Sequence, residues 1–249
     1  MAGRSEVYFV SDVHLGLKIG DPAEREARFT GFLKSIPRDR AKALYMLGDI
    51  WDFWFEYRDV VPRCGTRVLA ALVELMDAGV EVWFCPGNHD LWTFSYFEEL
   101  GMHKFTQPFY VELDGKTFCL GHGDALGGAK WNYRLMLKLF NSRFLRALFA
   151  SLHPRIAFSL GLGWSRSNRA SRAPYRFRGA EEPLYRFALE ASAERHVDYF
   201  VFGHFHDDVD MTLPGGSRFV VLKDWIDGGA PYGMFNGSSF ELHSPGSSR

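Results

Sequence analysis

Short apolar runs punctuate the chain, and each stops at a small or polar residue. Val7-Tyr8-Phe9-Val10 predicts a buried strand over Glu6 to Val10, ending at Ser11-Asp12. Ala43 to Leu47 predicts a second, ending at Gly48-Asp49, and Val80 to Cys85 a third, ending at Pro86-Gly87-Asn88-His89-Asp90. Between them, helical spacing of apolar residues covers Ala27 to Leu33 and Thr66 to Ala78. Gly79 closes the second helix as a C-cap. Strand and helix alternate, which is the pattern of an α/β fold.

The second half reads differently. Phe109 to Leu113 and Thr117 to Leu120 flank Asp114-Gly115, a hairpin signal, and the second of these strands ends at Gly121-His122-Gly123-Asp124. A long helical section follows. Tyr133, Leu137, Phe140, Phe144, Leu148 and Leu152 recur at steps of three and four, as on one amphipathic helix. Ile156, Phe158, Leu160, Leu162 and Trp164 carry the apolar theme into a second segment. Tyr199 to Phe202 reads as a strand ending at Gly203-His204-Phe205-His206. Arg218 to Leu222 and Ser239 to Leu242 read as closing strands, before a Ser-, Gly- and Pro-rich tail from Ser244 to Arg249 that is expected to fray.

Composition narrows the class. Apolar residues form 47% of the 249, enough for a sizeable core. A formal charge of -1 gives no global field for nucleic acid or membrane. Cys64, Cys85 and Cys119 are scattered and lack CxxC spacing, which favours reduced thiols in a cytosolic setting over a disulfide framework. No basic, apolar and small-residue leader precedes the first strand, so no signal peptide is expected. No apolar stretch reaches the roughly 18 residues that a membrane span needs.

Five of the predicted strands stop at a metal-competent group. They deliver Asp12-x-His14, Asp49, Asn88-His89-Asp90, His122 and His204-x-His206. In open α/β sheets, ligands bind outside the carboxyl ends of strands, so these segments can converge on one crevice. A lone His at a strand end is more often structural, and a lone Gly-Asp is ordinary turn chemistry. Five such endings in one chain require each bland explanation to hold independently. Imidazole, carboxylate and amide oxygen without sulfur suit Mn²⁺, Fe²⁺ or Zn²⁺ in a working site better than a structural zinc. If two ions sit together, one carboxylate bridges them, and Asp49 stands alone between the two clusters.

The ordered series Asp-x-His, Gly-Asp-x-x-Asp, Gly-Asn-His-Asp, Gly-His and Gly-His-x-His spans residues 12 to 206. It resembles the calcineurin-like metallophosphoesterase superfamily. The resemblance implies an αββα two-sheet sandwich and a single domain over residues 1–249, with a helical lid inserted at about 125–179. It implies two divalent ions, one held by Asp12, His14, Asp49 and His206, the other by Asp49, Asn88, His122 and His204. His89 matches the superfamily's catalytic histidine, and Asp52 the carboxylate that orients it. Asn88 and His89 would neutralise charge on the phosphoryl oxygens.

Between Asp124 and Glu181 there is no acidic residue and there are eleven basic ones, so the remainder carries about −12. An ordinary solvated face mixes both signs. A greasy, cationic lid suits an amphiphilic anion at a membrane surface. A nucleic-acid groove is the less favoured competitor, because long aliphatic runs are not needed for base stacking.

This lid, placed after Gly-His-Gly-Asp, resembles that of the UDP-2,3-diacylglucosamine hydrolases of lipid A synthesis, over nearly the whole chain. Those enzymes are manganese-dependent peripheral membrane proteins. The resemblance therefore implies Mn²⁺ and a place on the cytoplasmic face of the inner membrane. In their best-known branch an Arg that contacts substrate stands where this chain has His89. Ser167 matches a substrate-binding serine of the family. Lys130, Arg166 and Arg169 are further substrate contacts expected on charge, beside Asn88, His89 and His204. A soluble phosphoesterase acting on nucleotides, phosphodiesters or phosphoproteins is the alternative, and a nuclease the more distant one. Nothing in the sequence sets the oligomeric state.

Overall fold

The computed structural model describes residues 3–128, 131–170 and 176–243, without the side chains at 132 and 168–170, and its strands divide into two sheets. The first is built from β1 (Glu6–Val10), β2 (Ala41–Leu47), β3 (Glu81–Cys85) and β4 (His103–Lys104), with β10 (Tyr232–Phe235) and β11 (Phe240–His243). Its order is β11-β10-β1-β2-β3-β4, parallel from β1 to β4. The second contains β5 (Phe109–Leu113), β6 (Lys116–Leu120), β7 (Tyr199–Phe202), β8 (Val209–Thr212) and β9 (Arg218–Val221) in the order β5-β6-β7-β9-β8. There β6, β7 and β9 run parallel. The helices are α1 (Pro22–Ser35), α2 (Thr66–Asp77), α3 (Tyr96–Glu99), α4 (Trp131–Phe140), α5 (Arg143–Ala150), α6 (Pro154–Ala170) and α7 (Pro183–Glu194).

Strand alternation sorts the core into layers. Tyr8, Val10, Leu44 and Met46 face outward onto α1 and α2, packing with Phe29, Leu33, Val68 and Leu72. Val7, Phe9, Ala43, Tyr45 and Leu47 face the second sheet, meeting Phe118, Leu120, Val201 and Val220. Phe9 stacks on Tyr45 at 5.5 Å and on Phe118 at 5.6 Å, which joins the two sheets. On the far side, α7 lays Leu184, Ala188 and Ala191 over Phe200, Phe202 and Phe219. The result is an αββα sandwich, as the resemblance implies. Both faces of β1 and β2 are covered, which is why they read as continuous apolar runs.

Some elements differ from the sequence expectation. Helix α1 begins earlier, because Asp21 caps it, accepting from Ala23 and Glu24 N–H, and Pro22 fits the first turn. Strands β4, β8 and β10 carry no clear alternation. In β10, Gly233 gives way to the Phe240 ring. The single amphipathic helix expected from Tyr133 to Leu152 is two helices. Ser142 caps α5 by accepting from Leu145 N–H, and this break shifts the helical phase. Tyr133, Leu137 and Phe140 are half-buried as expected, but Phe144 is 75% and Leu148 57% exposed. The tail from Ser244 lies outside the described residues.

Candidate metal centre

Parallel strands bring their carboxyl ends to one edge of the sandwich. Asp12 and His14 follow β1, Asp49 follows β2, Asn88 follows β3, His122 follows β6, and His204 and His206 follow β7. The backbone there is unusual. Asp12, His14, Asp49, His204 and His206 all have φ between 51° and 73°, the left-handed region that L-residues avoid. The sixth such residue other than glycine among those described, Asp114, sits in the hairpin turn. Strain concentrated in this way marks functional sites.

Two trios of side chains offer ligand atoms within 4.8 Å of one another, Asp12 with His14 and His206, and Asp49 with His122 and His204. A third, His14 with Asp49 and His89, links them through Asp49. In the first trio, His14 Nε2 and His206 Nε2 lie 3.3 Å apart. They lie 3.6 and 3.3 Å from Asp12 Oδ1. In the second, His122 Nε2 lies 3.3 Å from His204 Nδ1, 3.3 Å from Asn88 Oδ1 and 3.4 Å from Asp49 Oδ2. Atoms bound to one ion at about 2.0–2.2 Å would stand at such separations. Asp12 Oδ1 is buried and makes no hydrogen bond. A buried carboxylate oxygen normally finds a donor, so this atom fits a cation.

The surroundings fix which atoms face inward. Ser11 Oγ and the His204 N–H donate to Asp12 Oδ2 at 2.6 and 2.8 Å, leaving Oδ1 toward the imidazoles. The His89 N–H donates to Asp49 Oδ1 at 2.8 Å, leaving Oδ2 toward His122 and, at 3.9 Å, His14. His122 Nδ1 donates to the Leu47 carbonyl at 2.9 Å, which turns Nε2 into the site. Gly87 permits this crowding, since a Cβ there would collide with Asp49 Oδ1.

Electrostatics follow the geometry. Burial would raise the Asp12 and Asp49 carboxyls, but the surrounding imidazoles hold both well below the usual carboxylate range. Burial opposes charge on His122, yet Asp49 raises it well above the usual imidazole value. His206 is half-buried, and although desolvation opposes its charge, Asp12 and Asp224 raise it to about 9. Burial and the neighbouring His122 push His204 down to about 4.

Two further carboxylates, Asp224 and Asp90, support the site, and the sequence reading assigns a role to neither. Asp224 follows β9, the third parallel strand of the second sheet, and lies 3.2 Å from His206 Nδ1. Asp90 accepts from the N–H groups of Gly87 (2.7 Å), Ile50 (2.8 Å) and Asp49 (3.2 Å), tying the β2 and β3 loops together. Burial, with Asp49 nearby, raises its carboxyl to about 7. The strand-end rule applied to Arg218–Val221 points to Asp224, and Asp90 closes the Gly-Asn-His-Asp motif.

Asp52 meets His89 through both its backbone carbonyl and its carboxylate. His89 Nδ1 donates to the Asp52 backbone carbonyl at 2.9 Å, while the carboxylate Oδ1 is 3.7 Å away. That carboxylate is nearer His14 Nδ1, at 3.4 Å. Of the substrate contacts expected in the helical segment, Arg166 lines a cavity of about 240 Å³ with Lys18, Asp52, Arg155 and Phe158. Ser167 is exposed on the same helix. Lys130 lies outside the described residues, as does the side chain of Arg169.

Comparison with known proteins gives the same outline. The model of the calcineurin-like phosphoesterase family matches residues 5–208. A UDP-2,3-diacylglucosamine hydrolase of Porphyromonas gingivalis is 42% identical, covering 97% of this chain and 98% of its own. One of Stenotrophomonas maltophilia is 31% identical, covering 89% of this chain and 92% of its own. One of Neisseria gonorrhoeae is 29% identical, covering 88% and 89%.

Proposed function

The chain belongs to the calcineurin-like phosphoesterase family, and from that premise we propose that it hydrolyses the pyrophosphate of UDP-2,3-diacylglucosamine, releasing UMP and 2,3-diacylglucosamine 1-phosphate. Hydrolysis of a phosphoric ester or anhydride is the chemistry of the family. The substrate rests on one observation, the 42% identity to the Porphyromonas gingivalis hydrolase over 97% of this chain, helical segment included.

Asp12, His14, Asp49 and His206 would hold one divalent ion, and Asp49, Asn88, His122 and His204 the other. The two trios support this division, because Asp49 belongs to the second and meets the first through His14. Nitrogen and oxygen donors without thiolate are compatible with Mn²⁺. Bound there, the ions supply Lewis acidity for phosphoryl oxygens and make a water acidic enough to ionise near neutral pH.

The chain's own residues supply orientation and protons. His89 Nδ1 donates to the Asp52 carbonyl, and the imidazolium form of His89 would donate from Nε2 to a phosphoryl or leaving oxygen. Asn88 and His204 border the same phosphoryl position. Lys130, Arg166, Ser167 and Arg169 serve the rest of the substrate, and the cationic wall of Lys18, Arg155 and Arg166 supports an anionic ligand there.

Among the described residues no helix is long and apolar enough to cross a membrane. The protein meets its lipid-linked substrate from the cytoplasmic surface of the inner membrane, through the helical segment. Trp131, Phe144, Leu148 and Leu160 are 78%, 75%, 57% and 56% exposed there. They stand among Arg134, Lys138, Arg143 and Arg155. Protein supplied with Mn²⁺ should release UMP from UDP-2,3-diacylglucosamine but not from UDP-N-acetylglucosamine, which lacks the second acyl chain and the long tails. Hydrolysis of bis-p-nitrophenyl phosphate without UMP release from the lipid would instead make it a soluble phosphoesterase.

A further inference from the structure

Helix α6 touches the metal centre without contributing to the ligand set. Ala157, Gly161 and Ser165 follow one another at i, i+4 spacing and form its buried stripe. Around them Arg155, Ile156, Ser159, Leu160, Trp164 and Arg166 are exposed. The stripe lies against the Asp52–Phe53 loop. A Cβ at Gly161 would collide with the Phe53 ring, and Phe158 packs edge-on against that ring at 5.1 Å. One turn further, Ser165 Oγ donates to the Asp52 carboxylate and stands 3.0 Å from each of its oxygens. Ser165 and Asp52 are both only 1% exposed, so water does not compete for this bond. Asp52 Oδ1 in turn faces His14 Nδ1 at 3.4 Å, and His14 Nε2 faces Asp12 and Asp49.

We propose that Ser165 is a positioning residue whose bond to Asp52 sets that carboxylate against His14, so that docking of α6 tunes the affinity of the centre for metal. This rests on the metal-centre reading given above. A ligating imidazole takes its orientation and basicity from the group at its other ring nitrogen. A buried carboxylate can present that imidazole with a range of directions unless its own oxygens are pinned. One serine proton shared between both oxygens pins them. Among the described residues, the Ser165 hydroxyl thereby ties α6 to the metal site, and Ala157 and Gly161 supply the close approach.

The test is Mn²⁺ binding to chelator-stripped protein, followed by calorimetry. Ser165→Ala favours the helix itself, so the variant should fold, and a melting curve confirms it. We expect its Mn²⁺ affinity to fall by about tenfold or more. At saturating Mn²⁺, KM for bis-p-nitrophenyl phosphate should be unchanged. Asp52→Asn should weaken binding too, and Ser165→Ala/Asp52→Asn should be no weaker than Asp52→Asn alone. Ser165→Ala binding Mn²⁺ as tightly as the unsubstituted protein would overturn the proposal, and so would additive losses in the double variant. If the unsubstituted protein binds no Mn²⁺, the metal-centre reading fails and takes this proposal with it. Affinity lost in Gly161→Ala but kept in Ser165→Ala would assign the effect to packing and overturn the role of the hydroxyl.

Discussion

Left-handed backbone at Asp12, His14, Asp49, His204 and His206 costs about 1–3 kcal/mol per residue. The surrounding strands must over-determine it. Asn tolerates this conformation nearly as well as Asp. Asp49→Asn should therefore keep the fold, retaining an acceptor for the His89 N–H, while losing the charge that two ions would share under the proposed ligand set. We expect turnover to vanish with a melting shift of no more than a few degrees, about 1 kcal/mol in a chain of this size.

The histidines make metal binding pH-dependent. His206, at about 9 in the metal-free protein, is protonated at pH 7 and must lose that proton to ligate. Raising the pH removes the competitor, so affinity should climb from pH 7 through about 9. Calorimetry in buffers of different ionisation enthalpy should detect at least one proton released per chain at pH 7. No proton release, or affinity that falls as pH rises, would contradict this.

His89→Ala should lower kcat roughly 10²–10⁴-fold, as for a lost general acid. The Asp52 carbonyl, which holds His89, survives Asp52→Asn, whereas the carboxylate facing His14 does not. Asp52→Asn/His89→Ala should thus be slower than His89→Ala alone. Equal rates would restore the carboxylate–His89 pairing that the sequence suggests. Side-chain identity is legible in the sequence wherever a short motif sits at a strand end. Which atom of Asp52 reaches which ring is a matter of a few tenths of an ångström, and no motif encodes it. The roles of Asp90 and Asp224 are hidden for a related reason: a motif or a strand end marks the residue, but not that Asp90 gathers backbone N–H groups or that Asp224 faces His206.

At the scale of elements, the long β-strands and α2 are legible because both faces, or one clean stripe, are buried. The helical segment is legible as helical but not in phase. Asn141-Ser142 reads as two polar residues on a continuing helix, yet Ser142 caps a new one. The break turns Phe144 and Leu148 to solvent, while Phe140 packs on Trp92 and Trp164 at 5.1 and 5.3 Å. Inner and outer positions therefore separate experimentally. Phe140→Ser should lower the melting temperature and impair lipid and small substrates together. Phe144→Ser/Leu148→Ser should leave melting and bis-p-nitrophenyl phosphate turnover unchanged, and weaken binding to anionic phosphatidylglycerol vesicles. With up to about 1.5–3 kcal/mol per fully buried side chain, partial insertion still allows a roughly tenfold loss. Salt should weaken the same binding, because the neighbouring cations are exposed. Vesicle binding unaffected by the outer pair would remove the membrane-surface role from this segment.

Across the whole molecule, two sheets with parallel cores place six strand ends on one edge, and chemistry gathers where they meet. The sandwich could be anticipated from five of those ends, because each run of apolar residues stops at its functional group. The segment between β6 and β7 separates the charges: eleven basic residues lie between Asp124 and Glu181, and the rest of the chain is acidic. On the membrane reading proposed above, that polarity would turn the basic helical segment toward an anionic surface. The chemistry depends on a centre that holds two ions. The most direct measurement is an Mn²⁺ titration of chelator-stripped protein, following bound metal by mass spectrometry and hydrolysis of bis-p-nitrophenyl phosphate in the same samples. We expect no turnover without metal, recovery on titration, and a plateau at two ions per chain. Full turnover after verified metal removal, or a plateau at one ion, would contradict a dinuclear centre built from these strand ends.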